Sequence, residues 1–399
     1  MKKILFVINT LGCGGAEMAM LELIRNLNGK GCEISLFVLT NQGEMIHQVP
    51  DYVKVLNENI TDCSVLNKEG KKHLKHYVRK TLFCKGSVFK NILYLVKNLV
   101  AMVRKGKILP DKLLWRVMSD GAPEIHETYD LAVAYLEGGS AYYVADHVKA
   151  ARKVGFIHID YEKAGYTRNL DKSCYENYHR IFTVSEEVKQ HFIAVYPEYG
   201  EKTEVFHNMI NQNRIRERAK LPGGFEDEFN GTRILTVGHL TAQKAYEIAI
   251  AAMKLLKDKG ENVRWYVLGE GEERRVLEKQ IEEYGLQKDF LLLGAKSNPY
   301  PYLAQADLYV HATRYEGKSI AIQEAQTLGC TILVSDCSGN REQVNDGVDG
   351  AMCKLTPEGI CEGICKLLED KEACRRYREA AAKKNLSEEQ QIERFLSLL

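Results

Sequence analysis

Two glutamates stand eight positions apart in RYEGKSIAIQEA, residues 314–325, with Glu316 in a short polar turn and Glu324 two turns into the apolar helical pattern that follows. Two carboxylates could act as an acid–base pair on a glycosidic bond, which needs one protonated acid and a second carboxylate about 5–9 Å away across the bond. The turn between them suits a different ligand. A helix capped by Ser319 leaves unpaired N–H groups from Gly317 through Lys318, Ser319 and Ile320 to about Ile322, and such a helix end attracts phosphate. Glu324 has Ile320, Ile322, Ala325 and Leu328 near it in sequence, so part of its surroundings is buried and it needs partners there. A helix-end carboxylate with a core-edge salt bridge is the bland alternative.

Other chemically equipped turns follow short apolar runs. GCGGAE, Gly12 to Glu17, opens a helix with Gly14 and Gly15, whose backbone can approach an anion closely or can simply form a tight turn. It is not a dinucleotide fingerprint, because Glu17 stands where the third glycine belongs. VGFIHI ends on His158, a residue that is either structural or catalytic there. VGHLTAQK carries His239 and Lys244 five residues apart, and Lys244 is either a solvated cation or a point charge for phosphate. The chain has no D-x-D and no His/Asp/Glu group at metal-ligand spacing, so no metal site is expected.

The elements that must position these residues alternate. KILFVIN, ISLFVL, LAVAYL, VGFIHI and IFTVS are strand-like and separated by helical periods, which implies mostly parallel sheets covered by helices. The plan of KILFVINTLGCGGAEMAMLEL, from Lys3, returns at Arg233 as RILTVGHLTAQKAYEIAIAAM, so two similar α/β halves are expected. In such sheets ligands sit outside the carboxyl ends of the strands, where the residues above fall. The expected boundaries are 1–210 for the first domain, 211–231 for a polar, glycine-bearing linker, 232–384 for the second domain and 385–399 for a last helix.

At 399 residues the chain suits two domains, and its net charge of +1 shows no overall bias toward nucleic acid. Eleven scattered cysteines without a CxxC pair point to a reducing cytoplasm. The N-terminal apolar run is too short for a signal peptide, and no stretch approaches the roughly 20 apolar residues of a membrane span. Charge is nevertheless segregated: residues 68–107 hold twelve Lys/Arg and a single acid, Glu69. There Ile92, Leu95, Val96, Leu99 and Val103 share a helical face, with Lys90, Lys97, Arg104 and Lys105 away from it. Two readings follow: a packed helix with a solvated basic face, or a surface for anionic lipid headgroups or a lipid-phosphate acceptor.

RYEGKSIAIQEA resembles the E-x7-E signature of the retaining glycosyltransferases of family GT4, and the resemblance runs along essentially the whole chain. GCGGAE is similar to that family's glycine loop, FIHIDY to the segment bearing its active-site histidine, VFHNMIN to its turn before the linker, and VGHLTAQK to its Gly-Arg…Lys phosphate motif. VLGEGEE, LLLGAKSNPYPYLAQADLYVHATRYEG and SDCSGNREQVNDGVDG follow in family order. The resemblance implies an α/β GT-B fold, two Rossmann-like domains facing across a cleft, with the C-terminal helix packing back on the N-terminal domain. It further implies that Glu324 accepts the ribose hydroxyls and that Lys244, the Gly317–Ile320 amides and the Gly14–Gly15 loop meet the diphosphate. Glu316 would contact the donor sugar, and His158 would reach it near the anomeric centre. Two departures stand out: His239 replaces the family's arginine, and Ala245 the glycine after Lys244.

The function implied is retaining transfer of a hexose-type sugar from a nucleotide-diphosphate donor, a uridine diphosphate sugar, to a glycan or lipid-linked glycan acceptor. Attack would come from the front face, with the departing phosphate taking the acceptor's proton. No cofactor or metal is expected, and the place expected is the cytoplasm, peripheral to the inner membrane face. Three alternatives stay open: a GT-B nucleotide-sugar epimerase, a non-catalytic sugar-binding subunit on the same fold, and a NAD-dependent dehydrogenase, which Glu17 disfavours.

Overall fold

The computed structural model describes residues 1–65, 67–106, 108–161, 163–386 and 389–399. The chain forms two compact units, Met1–Met209 with Glu388–Leu399, and Ile210–Ser387. The first is built on a seven-stranded sheet of β1 (Lys2–Ile8), β2 (Cys32–Val38), β3 (Lys54–Val55), β4 (Thr128–Ala134), β5 (Lys149–Ile157), β6 (Arg180–Thr183) and β7 (Thr203–Val205). The second has a six-stranded sheet of β8 (Thr232–Val237), β9 (Val263–Leu268), β10 (Phe290–Leu292), β11 (Leu308–His311), β12 (Thr331–Ser335) and β13 (Ala351–Cys353).

All the strand pairs are parallel. Parallel strands covered on both faces must be apolar throughout rather than alternating, and Ile4 through Ile8 are fully buried without a break. The orders are β3-β2-β1-β4-β5-β6-β7 and β10-β9-β8-β11-β12-β13. In each sheet the winding reverses once, between β1 and β4 and between β8 and β11. Ligands of open α/β sheets bind at that reversal, beyond the strand ends.

The stretch expected as a linker, 211–231, lies within the second unit. Asn211 caps the helix Gln212–Ala219 by accepting the Arg214 N–H, Ile215 is buried, and Arg218 exchanges hydrogen bonds with the Ser297 and Asn298 turn. Its few apolar residues hid the helix. The last helix, Glu389–Leu396, packs on the first unit as expected: Phe395 stacks on Phe6 at 6.0 Å, and Arg394 donates to the Val205 carbonyl. Ser387 and Glu388, within the expected segment 385–399, lie outside the described residues.

Between β3 and β4 the first unit carries four helices, Lys68–Phe83, Ser87–Lys90, Ile92–Arg104 and Pro110–Gly121. Lys107, the end of the basic segment, is outside the described residues. The helix Ile92–Arg104 is packed, but on a different face from the one expected. Its inward face is Tyr94, Asn98 and Met102, whereas Ile92, Val96, Leu99 and Val103 are exposed; of the expected apolar face only Leu95 is partly packed.

Candidate active site

The carboxyl ends of β8 and β11 place Lys244 and Glu316 together. A turn after β8 brings Lys244 round to Ala245, which adopts a left-handed backbone (φ 48°, ψ 36°), the conformation a glycine would adopt without strain. The loop after β11 is fastened to this turn by hydrogen bonds to Gln243. Arg314 N–H donates to the Gln243 carbonyl at 2.9 Å, Gln243 Nε2 donates to the Tyr315 carbonyl at 2.8 Å, and the buried Thr313 hydroxyl lies 3.1 Å from the Gln243 carbonyl and 2.9 Å from that of Tyr315.

Held this way, Lys244 Nζ donates to Glu316 Oε2 in a short, partly buried ion pair. His311, the last residue of β11, completes the group: its Nε2 lies 3.0 Å from Glu316 Oε2 and its Nδ1 lies 3.1 Å from the Tyr309 hydroxyl. Burial and the Lys244 charge both lower the His311 pKa, so the ring is neutral. Tyr309 then donates to Nδ1 and the Nε2–H donates to Glu316. Burial pushes the Glu316 carboxyl up, but the Lys244 charge and the His311 hydrogen bond prevail and hold it at about 2. Glu316 is a permanent carboxylate.

Glu324 behaves oppositely. It sits in the helix Ile320–Thr327, 4% exposed, and its Oε1 accepts from the Tyr300 hydroxyl at 2.8 Å. Burial raises it to about 7, against the lowering effects of Tyr300 and Arg218. Ser319 occupies the expected N-cap position, but its hydroxyl makes no capping hydrogen bond; Gly317, Lys318 and Ile320 lie in the same turn and helix start. The neighbouring helix Ser338–Arg341 presses against this turn, and a Cβ on Gly339 would fall 2.1 Å from the Glu316 carbonyl oxygen. His239 is exposed at the end of β8.

In the first unit the reversal point carries the other expected residues. Gly14 is the N-cap of the helix Gly15–Asn26, and a Cβ there would lie 2.3 Å from Glu17 Oε2. Two of the loop amides have carboxylate partners: Cys13 N–H donates to Glu44 Oε1 at 2.9 Å, and Glu17 accepts from the Gly12 backbone. Burial raises Glu17 to about 7, and the nearby Glu44 and Glu137 carboxylates add to it. A phosphate reaching the Gly12 and Cys13 amides must displace a carboxylate. Glu137, buried after β4, is braced by Asn9, which donates to its carbonyl at 3.0 Å, and accepts the His158 N–H at 3.1 Å. The His158 ring packs beside Tyr135, its centroid 5.3 Å away. Burial lowers its pKa to about 4 despite a hydrogen bond to the Tyr135 carbonyl. Its Nε2 is buried without a hydrogen-bond partner, so a neutral His158 offers one acceptor lone pair.

The structure places Glu316, Lys244 and the Gly317–Ile320 turn in one unit, and Gly14, Gly15 and His158 in the other. Sequence reasoning missed His311, Tyr309, Tyr300, Gly339 and Glu137. A histidine ending an otherwise apolar strand, five residues before Glu316, was the available signal for His311.

The sequence and the fold have known counterparts. Residues 225–384, within the second unit, match the model of the family described as Glycosyl transferases group 1. Over 182 residues the chain is 30% identical to the N-acetylgalactosamine-N,N'-diacetylbacillosaminyl-diphospho-undecaprenol 4-alpha-N-acetylgalactosaminyltransferase of Campylobacter jejuni, covering 45% of this chain and 48% of that protein. Over 153 residues it is 30% identical to the alpha-D-kanosaminyltransferase of Streptomyces kanamyceticus, covering 37% and 39%. The matches thus span less than half the length of these relatives. The crystal structure of Anabaena HepE in complex with UDP-glucose superposes with a TM-score of 0.69 at 18% identity, covering 100% of both chains. The fold of the whole chain is GT-B.

Proposed function

We propose that this chain is a retaining glycosyltransferase that moves a hexose-type sugar from a nucleotide-diphosphate donor, a UDP-sugar, to a glycan or lipid-linked glycan acceptor in cell-surface polysaccharide synthesis. The observation that carries the reading is the Lys244–Glu316–His311 group beside the start of the helix Ile320–Thr327, at the sheet reversal point of the segment that matches the group 1 model. The relatives' names, which specify transfer of alpha-linked sugars and in one case a diphospho-undecaprenol acceptor, and the UDP-glucose bound to HepE, support the donor and acceptor classes.

Cleaving the bond from sugar C1 to a diphosphate puts positive charge on the ring and negative charge on the leaving group. Lys244 has three N–H donors and spends one on Glu316, so it can meet a phosphate oxygen without leaving the carboxylate. The Gly317–Ile320 amides add fixed dipoles there; each preorganised donor of this kind is worth on the order of 10²–10³ in rate. Glu316, always ionised, accepts sugar hydroxyls and faces the developing positive charge. Glu324 receives the ribose diol, whose two O–H donors would stabilise its ionised form. His158 serves as a neutral acceptor for a hydroxyl rather than as a cationic acid.

A second reading has one observation in its favour. One carboxyl near 2 and another near 7, eight residues apart in sequence, give the split an acid–base glycosidase uses. Against it, Glu324 is buried and already bound to Tyr300. The two are separated by incubating the protein with a panel of nucleotide sugars, with aryl glycosides, and with chelator present or absent. Sugar transfer from a UDP-sugar with retained anomeric configuration, unaffected by chelator, is expected. An inverted product refutes retention, cleavage of aryl glycosides alone refutes transfer, and donor isomerised without acceptor indicates an epimerase.

A further inference from the structure

We propose that the outward face of the helix Ile92–Arg104 is a docking surface for an anionic lipid bilayer, on which the first unit rests without spanning it. Leu99, Ile92, Val103, Val96, Val100 and Leu93 are between 41% and 83% exposed. At 3.6 residues per turn they occupy one continuous arc of about 120°. Together they expose on the order of 600 Å² of apolar surface, the upper end of about 300–600 Å² for the largest patch on an ordinary monomer. Phe89, in the preceding short helix, is a further 71% exposed.

The opposite face of the helix is committed. Tyr94 and Met102 pack with Leu170, and the Tyr94 hydroxyl donates to the Leu170 carbonyl at 3.2 Å. The helix therefore cannot turn its apolar arc inward. Nor can it span: its 13 residues reach about 20 Å, against about 30 Å of bilayer hydrocarbon. Among the described residues no single helix is long and apolar enough to cross, and the one pair that passes by composition, Lys68–Lys90 with Ile92–Arg104, is bent by 91°.

Charge selects the occupant. Lys97 and Arg104 border the apolar arc on the same helix, and Lys90 and Lys105 flank its ends; all four are exposed and have no carboxylate partner among the described residues. The surrounding segment 68–107 has twelve Lys/Arg to one acid, while the chain as a whole has 55 to 54, so the remainder is net acidic. An apolar arc edged by cations fits acyl chains beneath anionic headgroups. A second copy docking on this face would bring like charges together.

The test is co-sedimentation of the full chain, without donor or acceptor, with phosphatidylcholine vesicles that contain or lack phosphatidylglycerol. Binding that prefers the anionic vesicles and weakens with salt is expected. Lys97→Glu with Arg104→Glu should reduce binding to anionic vesicles about fivefold or more per charge. Leu93→Ser with Val96→Ser and Val100→Ser should abolish binding to both, with melting temperature unchanged because all three side chains are exposed. No binding by the unsubstituted chain, or binding indifferent to these substitutions, overturns the proposal. So does a homodimer in sedimentation velocity that the serine variant dissociates, which would assign the face to a second copy. Because no sugar is present, none of these outcomes depends on the transferase reading.

Discussion

Replacing Lys244 by methionine keeps the side chain's length and removes its charge. The ion pair with Glu316 is shielded, its side chains 16% and 14% exposed. Burial by itself would drive Glu316 toward its neutral form; Lys244 and His311 instead hold it at about 2, below the ordinary 4.5. That difference corresponds to about 3 kcal/mol in favour of the carboxylate, and the cost of about 3–5 kcal/mol for removing one partner of a fully buried pair is an upper bound for this partly buried one. The carboxyl is depressed in the folded state, so its contribution is complete above about pH 4.5 and is lost as pH falls through about 2. Lys244→Met should therefore lower the stability of the second unit by about 3 kcal/mol at pH 7, and at pH 3 by about half that or less. Urea unfolding reports this cleanly in a Trp115→Phe background, which leaves the buried Trp265 of β9 as the only tryptophan. A penalty below about 1 kcal/mol at pH 7, or one equal at the two pH values, would show that Lys244 does not set the ionisation of Glu316.

Glu324→Gln should have opposite effects on stability and binding. A carboxyl raised to about 7 by burial destabilises the ligand-free fold as pH rises from about 4.5 through 7, so the variant should melt higher than the unsubstituted chain at pH 8 and equally at pH 4. It should also bind UDP about 10-fold or more weakly, through the loss of charge-assisted hydrogen bonds; calorimetry at pH 8 measures both effects. Gly339→Ala places a methyl against the Glu316 carbonyl, and the displaced turn should lose about 10²-fold in turnover with a smaller relative change in donor affinity. His158→Gln retains a neutral hydrogen-bonding side chain and should leave UDP binding unchanged while lowering transfer; a weakened UDP affinity would contradict the role given to it.

Strand positions and the residues at their carboxyl ends were legible because parallel, doubly covered strands are apolar without interruption, and the polar residue that ends each run marks the ligand edge. This located Glu316, Lys244, His158 and the Gly14–Gly15 loop. Partnerships across loops were not legible, since spacing says nothing of what lies 70 residues away. Lys244 meeting Glu316, Tyr300 meeting Glu324 and Gly339 admitting the Glu316 turn all depend on neighbours brought in by other strands. Helical period found the apolar arc of Ile92–Arg104 but not its direction, because an amphipathic pattern looks the same whether its apolar side faces the core or the outside. Polar composition likewise suggested a linker at 211–231, where Ile215 and a capping Asn211 suffice for a packed helix.

The central claim is that the Lys244–Glu316 turn and the helix beginning at Ile320 hold a nucleotide diphosphate. Titration calorimetry of the full chain with UDP and, separately, with NAD tests it most directly. Saturable binding of UDP at one site, lost in Lys244→Met and weakened in Glu324→Gln, with no heat from NAD, is the predicted result. Binding of NAD in place of UDP, or UDP binding indifferent to both substitutions, would contradict it.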